Sequence, residues 1–344
     1  MRKLIIHNLG SIDDCELTYK PFTILTGEQA SGKSTIAKAL YYFRTVKDDM
    51  LEAVSSMLSL RPKHDEALVN VLRDIMRKKF LRMFGFPLRE LRQGMEIQYF
   101  YTEDYVITVR LVTAEAADRR ILNIDFNAPL TEAINDYEKR IVFETEQMLT
   151  KKTFASIVGD VNRLFGDDYY TVYLPSGRST LSFILNYMRP FNFLGDAGLD
   201  YCTEKYMDDI SAIKTELTGG LDGLIDYYYG EENNIPKSWE KACELIGKVL
   251  CGNYRIDNGE ERIVLDNGKY VRINFASSGQ QDALWITNLL FYYLVTNRPT
   301  MFIIEEPESH LFPPSQKYIP ELISLVCNQG HSVLVMTHSP YILG

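Results

Sequence analysis

The sequence predicts an α/β fold carrying an antiparallel β lobe and a largely helical insertion, and three observations lead there. Pro21-Phe-Thr-Ile-Leu-Thr reads as a short strand that runs into a glycine-containing loop and then a helix. Met301-Phe-Ile-Ile and Ser332-Val-Leu-Val-Met are unbroken apolar runs of the kind found in strands covered on both faces. Between these ends lies a long stretch whose apolar spacing is mostly helical.

Taken in order, Lys3 to Asp13 reads as a strand and a turn, and residues 33–44 as a helix with Ile36, Ala37, Leu40 and Tyr41 on one face. From 45 to 83 the pattern is helical, with Leu68, Val71, Leu72, Ile75 and Met76 at three- and four-residue steps, until Gly85 and Pro87 break it. Met95 to Tyr101 and Tyr105 to Val112 alternate as a hairpin, and 121–126 adds a third strand. Residues 131–165 and 199–250 read as helical. Two Asp-Asn-Gly turns, at 257–259 and 266–268, mark tight hairpins between short strands. The expected division is a core of 1–45 and 254–344, with strands 95–126 joining its N-terminal lobe, and an insertion of 46–94 and 127–253.

Composition narrows the function classes. With 46% hydrophobic and 24% charged residues, the 344-residue chain is neither disordered nor collagen-like. A net charge of −9 excludes coating nucleic acid through global positive charge, so any such contact must be local. Seven basic residues against two acids at 73–92 form one candidate DNA-contacting patch, with a solvated helix face as the plain alternative. Residues 196–240 hold eleven acids and three bases, a partner-docking surface or simply solvating exterior. Cys15, Cys202, Cys243, Cys251 and Cys327 are scattered, without Cys-x-x-Cys spacing, and read as reduced thiols. The longest apolar stretch, 283–295, is too short to span a bilayer, and the start of the chain develops no signal-like apolar core, so the expected location is cytoplasmic with no membrane partner.

Four elements carry chemistry. Gly27-Glu28-Gln29-Ala30-Ser31-Gly32-Lys33-Ser34-Thr35 fits the Gly-x-x-x-x-Gly-Lys-Ser/Thr phosphate loop in its required place between strand and helix. Its backbone N–H groups can surround phosphate oxygens, Lys33 can bridge the β and γ phosphates, and the Ser34 hydroxyl can ligate Mg²⁺. Glu305-Glu306 ends an apolar strand, where ligands sit in α/β sheets, with Glu305 suited to Mg²⁺ or its water shell and Glu306 to the attacking water. The plain alternative is a solvated strand end. Ser277-Ser278-Gly279-Gln280-Gln281-Asp282 opens a helix and reads either as an anion site or as a helix cap. His338, after the last strand, can donate to a γ phosphate or serve structure alone.

In this order the four elements resemble the ABC-type ATPases, whose head is a P-loop NTPase fold. The resemblance implies a Walker A loop at Gly27 to Thr35, an ABC signature at Ser277 to Gln281, and a Walker B strand with catalytic Glu306. It also implies a D-loop-like Ser309-His310-Leu311 and a switch histidine at His338. It further implies ATP and Mg²⁺ as ligands and a head-to-tail homodimer in which the signature of one copy closes on the ATP of the other. Lys33 and Ser278 are 245 residues apart, an insertion far longer than transporter ATPases carry. Together with Ile6-His-Asn8-Leu-Gly-Ser11-Ile12, it resembles the RecF, SMC and OLD (overcoming lysogenization defect) branch. Within it, Glu305-Glu-Pro-Glu308-Ser-His-Leu-Phe-Pro313 and Leu174-Pro-Ser-Gly-Arg178-Ser179 are most similar to OLD-like ATPases, including subunits of bacterial anti-phage systems. Glu305 stands where most ABC proteins have aspartate, and Gln93 and Gln98 are both open as the glutamine of the ABC glutamine loop. OLD proteins continue past the switch histidine into a Toprim nuclease, so the resemblance implies an effector on a missing C-terminal domain or a separate chain. A RecF-like DNA repair ATPase, or an ATP-dependent scaffold of negligible turnover, are the alternatives.

Overall fold

A computed structural model describes residues 2–59, 67–84, 90–114, 119–146, 154–179, 200–230 and 235–343. In chain order the strands are β1 (Lys3–Leu9), β2 (Ile12–Thr18), β3 (Phe22–Leu25), β4 (Glu96–Phe100), β5 (Val106–Ala114), β6 (Arg119–Phe126), β7 (Tyr170–Leu174), β8 (Asn253–Asp257), β9 (Glu260–Val264), β10 (Tyr270–Arg272), β11 (Thr300–Glu305) and β12 (Ser332–Met336). The helices are α1 (Lys33–Arg44), α2 (Val46–Ser59), α3 (Leu68–Phe84), α4 (Ala128–Glu146), α5 (Phe154–Phe165), α6 (Tyr201–Lys214), α7 (Gly220–Tyr229), α8 (Lys237–Leu250), α9 (Ser278–Thr296), α10 (Pro313–Gln316), α11 (Tyr318–Asn328) and α12 (Pro340–Leu343). They form two compact units, one of Met1–Tyr19 with Glu28–Asp168 and the other of Lys20–Gly27 with Tyr169–Gly344.

The first unit is an antiparallel sheet in the order β2-β1-β4-β5-β6, with α1 to α5. Alternation in β1 buries Leu4 and Ile6, and the β4 register sets Ile97 opposite Ile6 and Tyr99 opposite Leu4, so one face of both strands is apolar. Phe43 of α1 stacks on Tyr99 with ring centroids 5.3 Å apart. At the sheet edge, Arg73 and Arg77 of α3 donate through Nε to the carbonyls of Ile124 (2.9 Å) and Leu122 (3.2 Å). Four helical residues rise about 6 Å and two strand residues about 6.6 Å, so the two arginines match the carbonyl spacing of β6 and cap its open edge.

The second unit is built on a parallel sheet in the order β3-β12-β11-β7. All six residues of β11 are buried, as its unbroken apolar run predicts. β7 lies where the sequence reading places no strand, yet it pairs in parallel with β11 from Tyr170 opposite Thr300 to Leu174 opposite Ile304. The helix α9 is buried around nearly its whole circumference, which accounts for its long apolar run. Among the described residues, no helix is long and apolar enough to cross a membrane. β8, β9 and β10 form a separate antiparallel sheet whose hairpins are the two Asp-Asn-Gly turns. Asn258 and Gly259 take φ of 49° and 79° between the paired Asp257 and Glu260, the left-handed pair that a two-residue hairpin needs.

Candidate functional site

In the first unit, α1 starts at Lys33 with Gly32 as its N-cap at φ 91°. A Cβ at Gly32 would sit 2.7 Å from Ile12 Cγ1 and 3.1 Å from Ser11 Oγ, so both backbone conformation and space demand glycine. No side chain caps this helix start and its first turn holds no acid, which leaves its N–H groups and positive dipole end suited to an anion. Lys33 Nζ donates to the Glu28 carbonyl at 2.6 Å and to Ser31 Oγ at 3.3 Å, so its ammonium lies across the loop. Glu28, Gln29, Ala30, Ser31 and Ser34 are exposed, and Ala30 is left-handed at φ 61°. Gly27, at the end of the β3 segment, belongs to the second unit.

The second unit holds the remaining predicted residues. Glu305 is the last residue of β11 and is 7% exposed. Its Oε1 accepts from the Tyr173 hydroxyl at 2.6 Å and its Oε2 from the Ser176 amide at 3.0 Å. Burial, and then the Glu305 charge, push the Tyr173 phenol well above its ordinary range, so it remains a donor. Two bonds leave part of the carboxylate's acceptor capacity for a cation or its water. Glu306 follows at φ 41°, a left-handed conformation uncommon outside glycine. Its amide donates to the Met336 carbonyl at 2.8 Å, and its Oε2 accepts from Ser309 Oγ at 3.0 Å.

Arg178, to which the sequence alone assigns no chemistry, is central to this strand end. Arg178 is fully buried and donates to the carbonyls of Glu305 (2.7 Å), Glu306 (2.8 Å), Asp282 (3.1 Å) and Pro175. Burial pulls its guanidinium down, opposed by Tyr206, Asp282, Glu305 and Glu306. It ties the chain after β7 to the end of β11 and to the first turns of α9.

At the start of α9 the cap reading is realised. Ser277 is the N-cap and shares a reciprocal capping box with Gln280, whose Nε2 also donates to the Leu250 carbonyl at 2.7 Å. Ser277 and Ser278 are exposed, which leaves both surfaces open to a ligand. A Cβ at Gly279 would meet the His310 carbonyl at 2.5 Å, so glycine here permits backbone contact within the chain. Asp282, 1% exposed, accepts from the Ser179 amide and bonds His310 Nδ1. His338 is exposed between buried Thr337 and Ser339.

Most of the basic patch has other work. Arg73 and Arg77 cap β6, Lys79 is buried against Asp49 at 2.5 Å, and Arg92 bonds Asp13 at 2.6 Å and the carbonyls of Gly10 and Ile12. Lys78 and Arg82 are exposed, and Arg89 lies outside the described residues, as do Gly85 and Pro87.

The α/β architecture, with a phosphate-loop motif and a carboxylate pair ending a buried parallel strand, defines the class as a P-loop NTPase fold. Residues 22–344 match the family described as "AAA domain, putative AbiEii toxin, Type IV TA system", and with nearly the whole length matched the chain belongs to that family. Among solved structures it is similar to an Smc head bound to the C-terminal winged-helix domain of ScpA, at 16% identity and TM-score 0.47 over 99% of this chain and 90% of that one. It is also similar to the Pyrococcus furiosus Smc head with an extended coiled coil bound to the C-terminal domain of ScpA, at 16% identity and TM-score 0.47 over 100% and 91%. The Thermotoga maritima SMC head domain matches at 13% identity and TM-score 0.41 over 99% and 90%. No curated protein matches the chain.

Proposed function

We propose that this chain is an ATP-binding and ATP-hydrolysing head of the ABC type. The observation that carries the reading is the Gly27 to Thr35 loop, with Gly32 left-handed at an uncapped helix start and Lys33 opening the helix. Loop amides and the α1 terminus receive the phosphates of ATP, and Lys33 exchanges its Glu28 and Ser31 partners for the β and γ phosphate oxygens. Ser34 and Glu305 would hold Mg²⁺, which when bound supplies positive charge to those oxygens. Glu306 orients the attacking water and takes its proton, and His338 donates to the transferred phosphoryl group.

Beyond this chemistry, two copies pair head to tail on ATP, with Ser277, Ser278, Gly279 and Gln280 of one copy facing the nucleotide of the other. Residues 1–45 and 254–344 act as the ATPase core, joined by strands 95–126 and by β7, which pairs with β11, and the rest of 46–94 and 127–253 acts as the insertion. Closure then regulates an effector of nuclease type, in phage defence or DNA maintenance. The family's description as a toxin of a type IV toxin–antitoxin system supports the defence context. A RecF-like role draws less support, because Arg73, Arg77, Lys79 and Arg92 are committed to internal contacts. Calorimetric titration with Mg-ATP tests the reading: the wild type is expected to bind and Lys33→Ala to bind at least about tenfold more weakly. Equal affinity in both would remove the phosphate loop from the account.

A further inference from the structure

We propose that Glu308 is the positioning residue that sets the backbone of the His338 segment, an inference that rests on the hydrolytic reading of His338. A single oxygen of its carboxylate, Oε1, accepts from Thr337 Oγ1 (2.6 Å), the His338 amide (3.0 Å) and the Ser339 amide (3.1 Å). Glu308 is 9% exposed, Thr337 is fully buried and Ser339 is 5% exposed, yet His338 between them is exposed. The anchor therefore grips the backbone on both sides of the histidine from within and leaves the imidazole outside. Two further bonds brace the same segment: the Thr337 amide donates to the Leu25 carbonyl at 3.2 Å, and Ser339 Oγ bonds Gln316 Oε1 at 3.1 Å.

Glu308 stands two residues after Glu306, so one short loop carries the residue proposed to activate water and the residue that holds the histidine. Its other oxygen, Oε2, is buried without a hydrogen-bond partner among the described residues. A buried acceptor left unpaired is costly, and such costs are carried where a group is retained for what it positions. A charged acceptor also binds two amides and a hydroxyl more strongly than a neutral one, which suits a segment that must keep a proton donor in register.

Two readouts on the full chain test this. The first is amide hydrogen exchange across residues 333–343, which needs no activity. His338 and Ser339 are expected to be protected in the wild type, to lose protection in Glu308→Ala, and to keep most of it in Glu308→Gln, which retains the acceptor oxygen. Unchanged protection in Glu308→Ala would overturn the proposal whether or not the protein hydrolyses ATP. The second is steady-state phosphate release. Glu308→Ala is expected to lower kcat by about tenfold or more with KM for ATP within about twofold, and to add nothing in a His338→Ala background. Losses that multiply in the double variant would mean that Glu308 does not act through His338. If Glu308→Ala does not fold, Thr337→Val removes one of the three donors and is expected to lower kcat in the same His338-dependent way. A wild type with protected amides and no phosphate release would count against the ATPase reading and leave the placement of Glu308 standing.

Discussion

Glu306 is held in a left-handed conformation by the Met336 carbonyl on its amide and by Arg178 on its own carbonyl, so its side chain leaves the strand end in a fixed direction. Such strain persists only where surrounding bonds over-determine it. Arg178→Met should therefore destabilise the fold by about 3–5 kcal/mol, because four carbonyls, bound through three buried bonds and one part-buried, lose their donor together. Thermal melting checks this, and a loss under about 1 kcal/mol would show that water replaces the guanidinium. Gly279→Ala should also destabilise, since its Cβ would meet backbone that cannot swing aside. Lys33, Ser34 and Glu306 could be singled out from the sequence because the proposed phosphate chemistry calls for those residue types at fixed local spacing. Tyr173, Arg178 and Glu308 were not, because their partners are distant: Arg178 acts on carbonyls 127 and 128 residues away. The one available signal for Arg178 was a basic residue directly after Pro175-Ser-Gly177. Ser277 and Gln280 are a local case: they were legible as a helix cap and form one.

At the scale of elements, α2 and α3 are joined by Lys79 and Asp49, whose side chains are 3% and 6% exposed. Desolvation raises the Asp49 carboxyl to about 6, even with Lys79 pulling it down. Lys79→Met alone should cost about 3–5 kcal/mol by leaving a buried carboxylate unpaired, and adding Asp49→Leu should recover most of it. Denaturant unfolding of the single and double variants decides. His331, just before β12, is 2% exposed and burial lowers its pKa, so the folded state holds it neutral. Its contribution to stability is complete above the unfolded value of about 6.5 and is lost as pH falls through the lowered folded value. His331→Phe should flatten the acid side of a melting-temperature profile below about pH 6.5. An unchanged slope would mean that other groups dominate there. Helix α1 and the antiparallel strands other than β2 (Ile12–Thr18) were legible because their periodicity is local. β7 was not, since five residues beside a turn carry too little pattern to show pairing with a strand 130 residues later.

At the scale of the whole molecule, the parallel sheet joins strands from the two ends of the chain, with Phe22 to Leu25 of β3 beside Val333 to Met336 of β12. No local rule reports such pairing, although two apolar runs ending in chemistry-bearing residues pointed to one sheet. The proposed head-to-tail pair makes its prediction here: Glu306→Gln with Mg-ATP should elute as a dimer on size exclusion, and Glu306→Gln carrying Ser278→Arg should elute as a monomer. A double variant that still dimerises on ATP would remove the signature from the interface.

On the proposed function this chain turns over ATP with Glu306 activating the water. Steady-state phosphate release, measured beside nucleotide binding, tests it most directly. Glu306→Gln should bind ATP as the wild type does and release phosphate at least about a hundredfold more slowly, the scale of a lost general base. Hydrolysis undiminished in Glu306→Gln, or absent from a wild type that binds ATP, would contradict the account.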